Sequence, residues 1–256
     1  MTTLFDVMLE TARLSGILRS GSGVYGGVDG TTGYKYLTDT SRLEKEEYFT
    51  GGTLFFKTTK LFAKIMKYVQ TTGAIYFGSS VAVTADQPYS ATNADPYALI
   101  EAVNSALTHM GTHTKVDETL TSDVTSTEYT LPDGVSNLVR VEYTAGDGFS
   151  PQLSWREIEG KLYTYAPFKT AGMLRLYYNA LHPYVEEADD EISDAYNYNR
   201  LAWTATYMFQ FHRLQLTGNY SEKETSLLSL AQREAEKLAR AFPVHHLERD
   251  PILGRF

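Results

Sequence analysis

Two histidines four residues apart, His109 and His113, have the spacing at which side chains on one helix face bind zinc. Gly111 lies between them and predicts the end of that helix, and no carboxylate stands where it would complete a ligand set. We therefore interpret both as exposed histidines at a helix end. The adjacent pair His245-His246 lies in a predicted extended segment, where neighbouring side chains point to opposite sides, so it predicts no metal site.

The spacing Gly21-x-Gly23-x-x-Gly26 is that of dinucleotide-binding loops. That chemistry requires a strand before the glycines and a helix after them, because the helix N-terminus binds the phosphates. Here a predicted helix comes before the glycines and strand-like sequence follows them. The stretch 20–33 is therefore predicted to be a flexible loop, since glycine leaves the backbone unrestrained.

Two charged clusters could bind a metal ion or nucleic acid. The acidic cluster Asp189-Asp190-Glu191 precedes a helical pattern, and we interpret it as solvated acids that favour the start of a helix rather than as metal ligands. The most basic patch consists of Lys57, Lys60, Lys64 and Lys67. Contact with nucleic acid is one interpretation of these lysines, and protection of an exposed edge strand is the one we favour.

The sequence contains none of the motifs that are typical of common catalytic sites. There is no Gly-x-Ser-x-Gly, no His-Glu-x-x-His, no Walker motif and no EF-hand loop. The absence of cysteine excludes disulfides, thiolate zinc sites and a cysteine nucleophile. We predict no catalytic residues, no cofactor and no bound metal, so the chain is not expected to be an enzyme. A hydrolase that uses scattered Asp, Glu and His side chains is the alternative within the enzyme class.

Composition limits the partners. The chain has 256 residues and a formal net charge of −8. The negative charge argues against tight binding of nucleic acid through its phosphates. An acidic surface would instead let DNA pass without sticking. No apolar run approaches the roughly 20 residues that cross a bilayer, and Asp6 and Glu10 interrupt any signal-peptide pattern. We expect a protein that is cytosolic when made. Its 19 tyrosines suit either interfaces or β-sheets.

The elements predicted in the first half are two helices and, between them, several short strands. Apolar spacing predicts a helix over 3–18, and Asp95-Pro96 predicts the start of a second helix that Gly111 ends. Between them, β-branched and aromatic segments within 34–84 predict a small antiparallel barrel or sheet.

The second half predicts a sheet followed by helices. Apolar and polar residues alternate over 127–179, which indicates an antiparallel meander with one solvent-exposed face. Glu159-Gly160 is typical of a two-residue hairpin turn. A helix is predicted over about 191–216. Ser221 and Glu224 form a capping box that starts the last helix.

These elements predict an α+β fold. Its core is a helical bundle of about four helices, to which an antiparallel β-meander and an inserted small β-barrel or sheet are added. The helical core takes 1–19, 93–126 and 184–243, the inserted β-rich subdomain takes 20–92, and the meander takes 127–183. Residues 244–256 are predicted to be an extended C-terminal arm.

Three segments together give the chain a family likeness. They are the helix with Ala102-Val103-Asn104-Ser105-Ala106-Leu107, the strand Leu176-Tyr177-Tyr178-Asn179-Ala180-Leu181-His182-Pro183 with its acidic and helical continuation, and the last helix followed by Pro251-Ile252-Leu253-Gly254-Arg255-Phe256. In this order they resemble the head–tail connector proteins of tailed bacteriophages, also called adaptor or neck proteins. The first segment is similar to the Ile-Asn-x-Ala-Leu helix frequent in those proteins.

The resemblance implies a structural virion protein. Such proteins form rings, commonly of twelve copies, below the portal, and DNA passes through the ring without sequence-specific binding. The implied partners are the portal protein, tail or neck proteins and further copies of the chain. The implied location is the head–tail neck of the virion, reached from the host cytoplasm during assembly. The arm would dock on the portal through Leu247, Arg249, Pro251, Ile252, Leu253, Arg255 and Phe256.

An alternative from another class is a ligand- or carbohydrate-binding β-rich module. Its motivation is the aromatic meander together with Trp155.

Overall fold

The computed structural model describes residues 1–144, 148–152, 154–218 and 221–244. The helices among these residues are α1 (Leu4–Leu14), α2 (Pro96–Met110), α3 (Tyr198–Thr217) and α4 (Glu222–Ala241). The strands are β1 (Thr2–Thr3), β2 (Arg19–Val28), β3 (Lys35–Thr38), β4 (Thr53–Phe56), β5 (Leu61–Val69), β6 (Ala74–Phe77), β7 (Gln87–Thr92), β8 (His113–Asp117), β9 (Thr121–Ser122), β10 (Glu128–Thr130), β11 (Leu138–Thr144), β12 (Ser150–Pro151), β13 (Trp155–Ile158), β14 (Lys161–Thr164), β15 (Gly172–Ala180) and β16 (Glu191–Ile192).

The chain divides into two compact units. Unit 1 consists of Met1–Met110 and Pro183–Pro243, and the described residues of unit 2 are Gly111–His182 and Val244. Unit 1 holds all four helices and strands β1 to β7 and β16, and unit 2 holds strands β8 to β15. Each unit has its own apolar cluster of buried side chains.

Unit 1 contains a closed antiparallel barrel with the strand order β2-β3-β6-β5-β4-β7. Strand β4 is buried along its whole length, because residues such as Leu54 and Phe56 fill the barrel while Phe55 faces outward onto helix α1. There the rings of Phe55 and Phe5 meet edge to face, with centroids 5.8 Å apart. The barrel interior is lined by Leu37, Phe49, Leu54, Phe56, Ala63, Ile65, Tyr68, Ile75, Phe77, Val83, Tyr89 and Ala91.

The predicted helical-bundle core is wrong. Helices account for only 27% of the structure, and the remaining regular structure is β-sheet that includes the closed barrel. Most of the largest fully buried side chains, among them Tyr68, Tyr89 and Phe77, belong to the barrel. The physical reason is that an apolar stripe shows that one helix face is covered, but it does not identify the element that covers it.

Most of the glycine-rich stretch, residues 20–28, lies in strand β2 and is not the predicted flexible loop, whereas residues 29–33 lie in the turn that leads to β3. The glycines serve close packing between strands. A Cβ on Gly23 would lie 2.9 Å from the Cβ of buried Leu37, and one on Gly26 would lie 2.0 Å from the ring of Tyr36. The sequence therefore uses glycine here because side chains of the neighbouring strand occupy the space above the backbone.

A buried polar network ties three parts of the barrel together. The Arg42 Nε donates to Tyr89 Oη at 2.7 Å and to Asp39 Oδ2 at 3.3 Å, and Tyr89 Oη donates to the same carboxylate at 2.8 Å. An Arg42 guanidinium nitrogen also donates to the Ser20 carbonyl of β2. Burial opposes the charge of Asp39, but hydrogen bonds from Ser41 and Tyr89 and the Arg42 charge outweigh it, so the pKa of Asp39 is lowered.

The helices begin and end at capping residues. Thr3 and Asp6 form a capping box at the start of α1, and the box predicted for Ser221 and Glu224 is confirmed at the start of α4. Gly218 ends α3 in the left-handed conformation, with φ of +62°. Helix α1 ends at Leu14, earlier than predicted.

Unit 2 is built from two antiparallel sheets. One has the order β12-β11-β15-β8 with β9 also paired to β15, and the other has the order β10-β14-β13. The predicted turn at Glu159-Gly160 is confirmed, because both residues have positive φ, +50° and +73°, as a two-residue hairpin turn requires. The sheets enclose Tyr129, Leu131, Val135, Leu138, Val141, Trp155, Leu162, Phe168, Leu174 and Leu176.

Candidate assembly surfaces

The predicted portal-docking arm lies outside the described residues. This applies to all of the residues assigned to it, which are Leu247, Arg249, Pro251, Ile252, Leu253, Arg255 and Phe256. The histidine pair His245-His246 lies outside them as well. The surfaces that the structure does describe belong to the remainder of units 1 and 2.

The histidines at the end of α2 have different environments. His109 is exposed in the last turn of α2, as predicted, but the prediction of an exposed His113 is wrong, since its residue is 3% exposed. His113 lies on β8, and its ring centroid is 6.0 Å from that of His182. Burial, Lys115 and His182 lower the pKa of His113 to about 4. Within the described part of the chain, no group of three or more His, Asp and Glu side chains could hold a metal ion.

The acidic cluster does not start a helix, which corrects the prediction. Glu191 pairs with Thr3 in the short β1–β16 sheet, and α3 starts only at Tyr198, where Asn197 caps it. The carboxylate of Asp190 accepts hydrogen bonds from the backbone N–H groups of Glu186 and Glu187, at 2.6 and 2.9 Å. The cluster therefore shapes a turn and does not form an open ligand set.

The four lysines do not form one free basic surface. Lys60 pairs with Asp6 at 3.4 Å, Lys64 pairs with Asp95 at 2.5 Å, and Lys57 donates to Ser20 Oγ at 3.2 Å. The hydrogen bond and charge of Asp95 raise the pKa of Lys64. The interpretation as edge protection is wrong, because β5 is paired on both sides, with β4 and β6, and a closed barrel has no edge.

Trp155 is a core residue of unit 2 and not an exposed aromatic platform. It is 3% exposed and packs within the apolar cluster between the two sheets. The exposed aromatic residue nearest to it along the chain is Tyr165, at 78% exposure. The residue that motivated a sugar-binding interpretation is therefore inaccessible to a ligand.

Asn104 fastens a distant segment of the chain to helix α2. Its side-chain oxygen accepts from the Val185 N–H at 2.9 Å, and its side-chain nitrogen donates to the Val185 carbonyl at 2.8 Å. The same nitrogen donates to the Ile100 carbonyl at 3.1 Å. A buried amide therefore satisfies both backbone groups of a residue 81 positions away and holds that segment against α2.

An exposed apolar groove lies between the first half of α2 and the second half of α3, and we call it the α2–α3 groove. Its volume is about 580 Å³. Residues beside it are strongly exposed, with Leu216 at 87% and Tyr97 at 65%. The Tyr184 hydroxyl donates to Glu101 Oε1 at 2.5 Å at the α2 wall. The groove is lined by Asn93, Ala94, Asp95, Ala98, Glu101, Phe209, His212, Arg213, Gln215 and Leu216.

The second surface is the side of α4 that faces away from α3, and we call it the α4 outer face. It consists of Thr225, Ser226, Ser229, Leu230 and Arg233. Helix α4 packs along α3 but is mostly exposed, since Ala231 alone among its residues is buried. Its start is tied to α3 through Arg213 and Glu224, at 3.4 Å.

Sequence reasoning missed both surfaces. The walls of the groove come from residues 93–101 and 209–216, which no sequence pattern joins. For α4 a signal existed, because Leu230 lies off the apolar stripe formed by Leu227, Ala231 and Leu238.

No protein-family model matches the chain, and no curated protein matches it in sequence. Among the helices of the described residues, none is long and apolar enough to cross a membrane.

Proposed function

We propose that this protein is a structural virion protein, the head–tail connector of a tailed bacteriophage. Copies of the chain form a ring below the portal, DNA passes through the ring, and tail or neck proteins attach to it. The observation that carries the proposal is the pair of exposed surfaces on unit 1, the apolar α2–α3 groove and the α4 outer face. Exposed apolar surface of this kind serves contacts between proteins.

The order of the elements supports the same proposal. A helix with a buried asparagine, then an antiparallel sheet, then two helices joined by a short turn is the order that resembles connector proteins. In this chain the asparagine, Asn104, fastens the segment that leads from the sheet back to the helices. We propose a structural role for this framework, without catalysis and without a cofactor.

The charges support passage of DNA rather than tight binding. The chain carries a formal net charge of −8, and two of its clustered lysines, Lys60 and Lys64, are neutralised by carboxylates. Affinity for nucleic acid depends on cations that replace the counterions of the phosphates. A ring built from such a chain would let the duplex slide, as a channel requires.

The proposed contact with the portal is residues 247–256. This segment contains apolar residues such as Ile252, Leu253 and Phe256 together with Arg249 and Arg255. The apolar residues would be buried as anchors on docking. The arginines would pair with carboxylates of the portal through charge-assisted hydrogen bonds.

Deletion of residues 247–256 tests the proposal. The shortened chain should keep its fold, because the described cores of both units lie before this segment. It should no longer cosediment with DNA-filled capsids that carry a portal, whereas the full chain should. The measurement is cosedimentation, with circular dichroism and thermal unfolding as the check on folding.

A substituted chain provides the matched control. Replacing Ile252, Leu253 and Phe256 with serine keeps the length and the arginines, and it should abolish capsid binding as deletion does. Replacing the exposed Leu43 with serine changes a leucine outside the arm and should leave binding unchanged. Normal capsid binding by the deleted chain would show that the arm does not dock on the portal.

A further inference from the structure

Helix α4 has an apolar residue on each of two sides, and unit 1 covers one side only. The inner stripe, with Leu227, Leu228 and Leu238 half-buried, packs towards α3. On the outer face Leu230 is 36% exposed, and Ser226 and Ser229 beside it are small. The leucine is therefore an apolar side chain that its small neighbours leave accessible to a second surface.

The α2–α3 groove provides an apolar surface on the same unit. Its lining includes the buried Phe209 and the exposed Ala98 and Leu216. The strong exposure of Leu216 leaves a large apolar side chain in water, which a second protein surface would remove. Small alanines on the α2 wall give a partner helix room to approach closely.

The charges of the two surfaces are also complementary. Glu101 lines the groove, and no cation pairs with it among the described residues, where Tyr184 is its hydrogen-bond donor. Arg233 lies next to Leu230 on the α4 outer face, and within the same described ranges no acid pairs with it. The other groove acid, Asp95, is already paired with Lys64. Each surface thus presents one charge that a partner would balance.

We infer that the α4 outer face of one copy packs in the α2–α3 groove of the next copy. Leu230 packs on the apolar lining of the groove, and Arg233 forms an ion pair with Glu101 of the neighbour. The contact joins two different surfaces of the chain, so every copy keeps one free groove and one free helix. Such a heterologous contact produces a closed ring when its rotation closes. The inference rests on the proposed ring and names the surfaces that build it.

Engineered disulfides test this contact in a chain that has no cysteine of its own. The full-length double variant Leu216→Cys with Leu230→Cys should, under mild oxidation at high protein concentration, give a ladder of linked dimers, trimers and larger species. Each single variant should give at most dimers. The control Leu216→Cys with Leu43→Cys has a second cysteine at an equally exposed leucine on unit 1 and should give no ladder.

The ladder decides the inference in both directions. A ladder in the test variant and none in the control supports the contact. If the test variant gave no species beyond dimers, or if the control gave an equal ladder, the inference would be overturned.

A charge exchange tests the ion pair independently of oxidation. Glu101→Arg and Arg233→Glu should each weaken self-association by about tenfold, and the double variant should restore it, because the pair is re-formed with reversed signs. Sedimentation velocity over a range of concentrations measures the association. A double variant as weak as the single ones would contradict the pairing. Glu101→Gln, which retains an acceptor for Tyr184, separates loss of the charge from loss of that hydrogen bond.

The outcomes also separate this inference from the proposed function. A chain that forms the ladder but never binds portal-bearing capsids would keep the contact and refute the connector role. A chain that binds capsids but forms no ladder would keep the connector role and refute this contact.

Discussion

The side chain of Asn104 provides the hydrogen-bond partners of both backbone groups of Val185. It lies 7% exposed within α2, where both its oxygen and its nitrogen bond the backbone of Val185. A buried N–H and a buried carbonyl without partners each cost free energy comparable to a lost hydrogen bond. Asn104 therefore has a structural role, because it holds the segment around Val185 on α2.

Replacing Asn104 with alanine should lower the free energy of unfolding by about 2–4 kcal/mol, because two buried backbone groups lose their partner. Urea unfolding followed by circular dichroism measures the loss. Ser105→Ala, one residue further along the same helix and only half-buried, should change stability by less than about 0.5 kcal/mol. Equal effects of the two substitutions would mean that the bonds to Val185 do not stabilise the fold.

His113 should make unit 2 less stable in acid. Its folded-state pKa of about 4 lies below the ordinary value near 6.5, so the unfolded chain binds the proton more readily. The stability it gives is complete above about pH 6.5 and is lost as the pH falls towards 4, by about 2–3 kcal/mol.

Fluorescence of Trp155 can follow this loss in unit 2 alone. Trp203→Phe removes the second tryptophan, which lies on α3. Unfolding in urea between pH 7 and pH 4 would then report the apolar cluster that contains Trp155. His113→Gln in the same background should flatten the pH dependence. A variant with an undiminished dependence would assign the effect to other groups.

At the scale of elements, strand β2 shows that a glycine-rich segment can be a closely packed strand and not a loop. A glycine-rich stretch is typical of loops when only the backbone is considered. In the barrel, Leu37 of β3 and the ring of Tyr36 occupy the space above Gly23 and Gly26. The same glycines therefore permit close strand packing and do not provide freedom.

Gly23→Ala should destabilise the barrel by about 1–3 kcal/mol, because its Cβ would lie 2.9 Å from the Cβ of fully buried Leu37. Gly30→Ala is the matched control in the same glycine-rich stretch, since no heavy atom lies within 4 Å of its added Cβ. It should change stability by no more than about 0.5 kcal/mol. Thermal unfolding of the two variants measures the difference, and similar midpoints would contradict the packing argument.

At the scale of the whole molecule, two compact units divide the chain. Unit 2 encloses its own apolar cluster, and its chain ends are adjacent, because His113 of β8 pairs with Ala180 of β15. A segment with its own core and neighbouring ends meets the requirements for folding alone.

The isolated segment 111–182 should therefore fold by itself. Its Trp155 emission should be that of a buried indole, and unfolding in urea should be cooperative. As a control, Leu176→Ser in the segment places a hydroxyl in the fully buried core and should abolish the transition. A wild-type segment with exposed tryptophan emission would show that unit 2 needs the rest of the chain.

The sequence by itself determined the local features. The capping box at Ser221, the turn at Glu159-Gly160 and the end of α3 at Gly218 all depend on residues a few positions apart, and the structure has each of them. Tertiary structure decided the rest. Pairing of β16 with β1 moved the start of α3, burial on β8 removed His113 from the surface, and barrel closure replaced the predicted helical core. The two candidate surfaces belong to this second group. Each depends on which side of a helix its neighbours leave uncovered, and that is fixed by contacts between residues far apart in the chain.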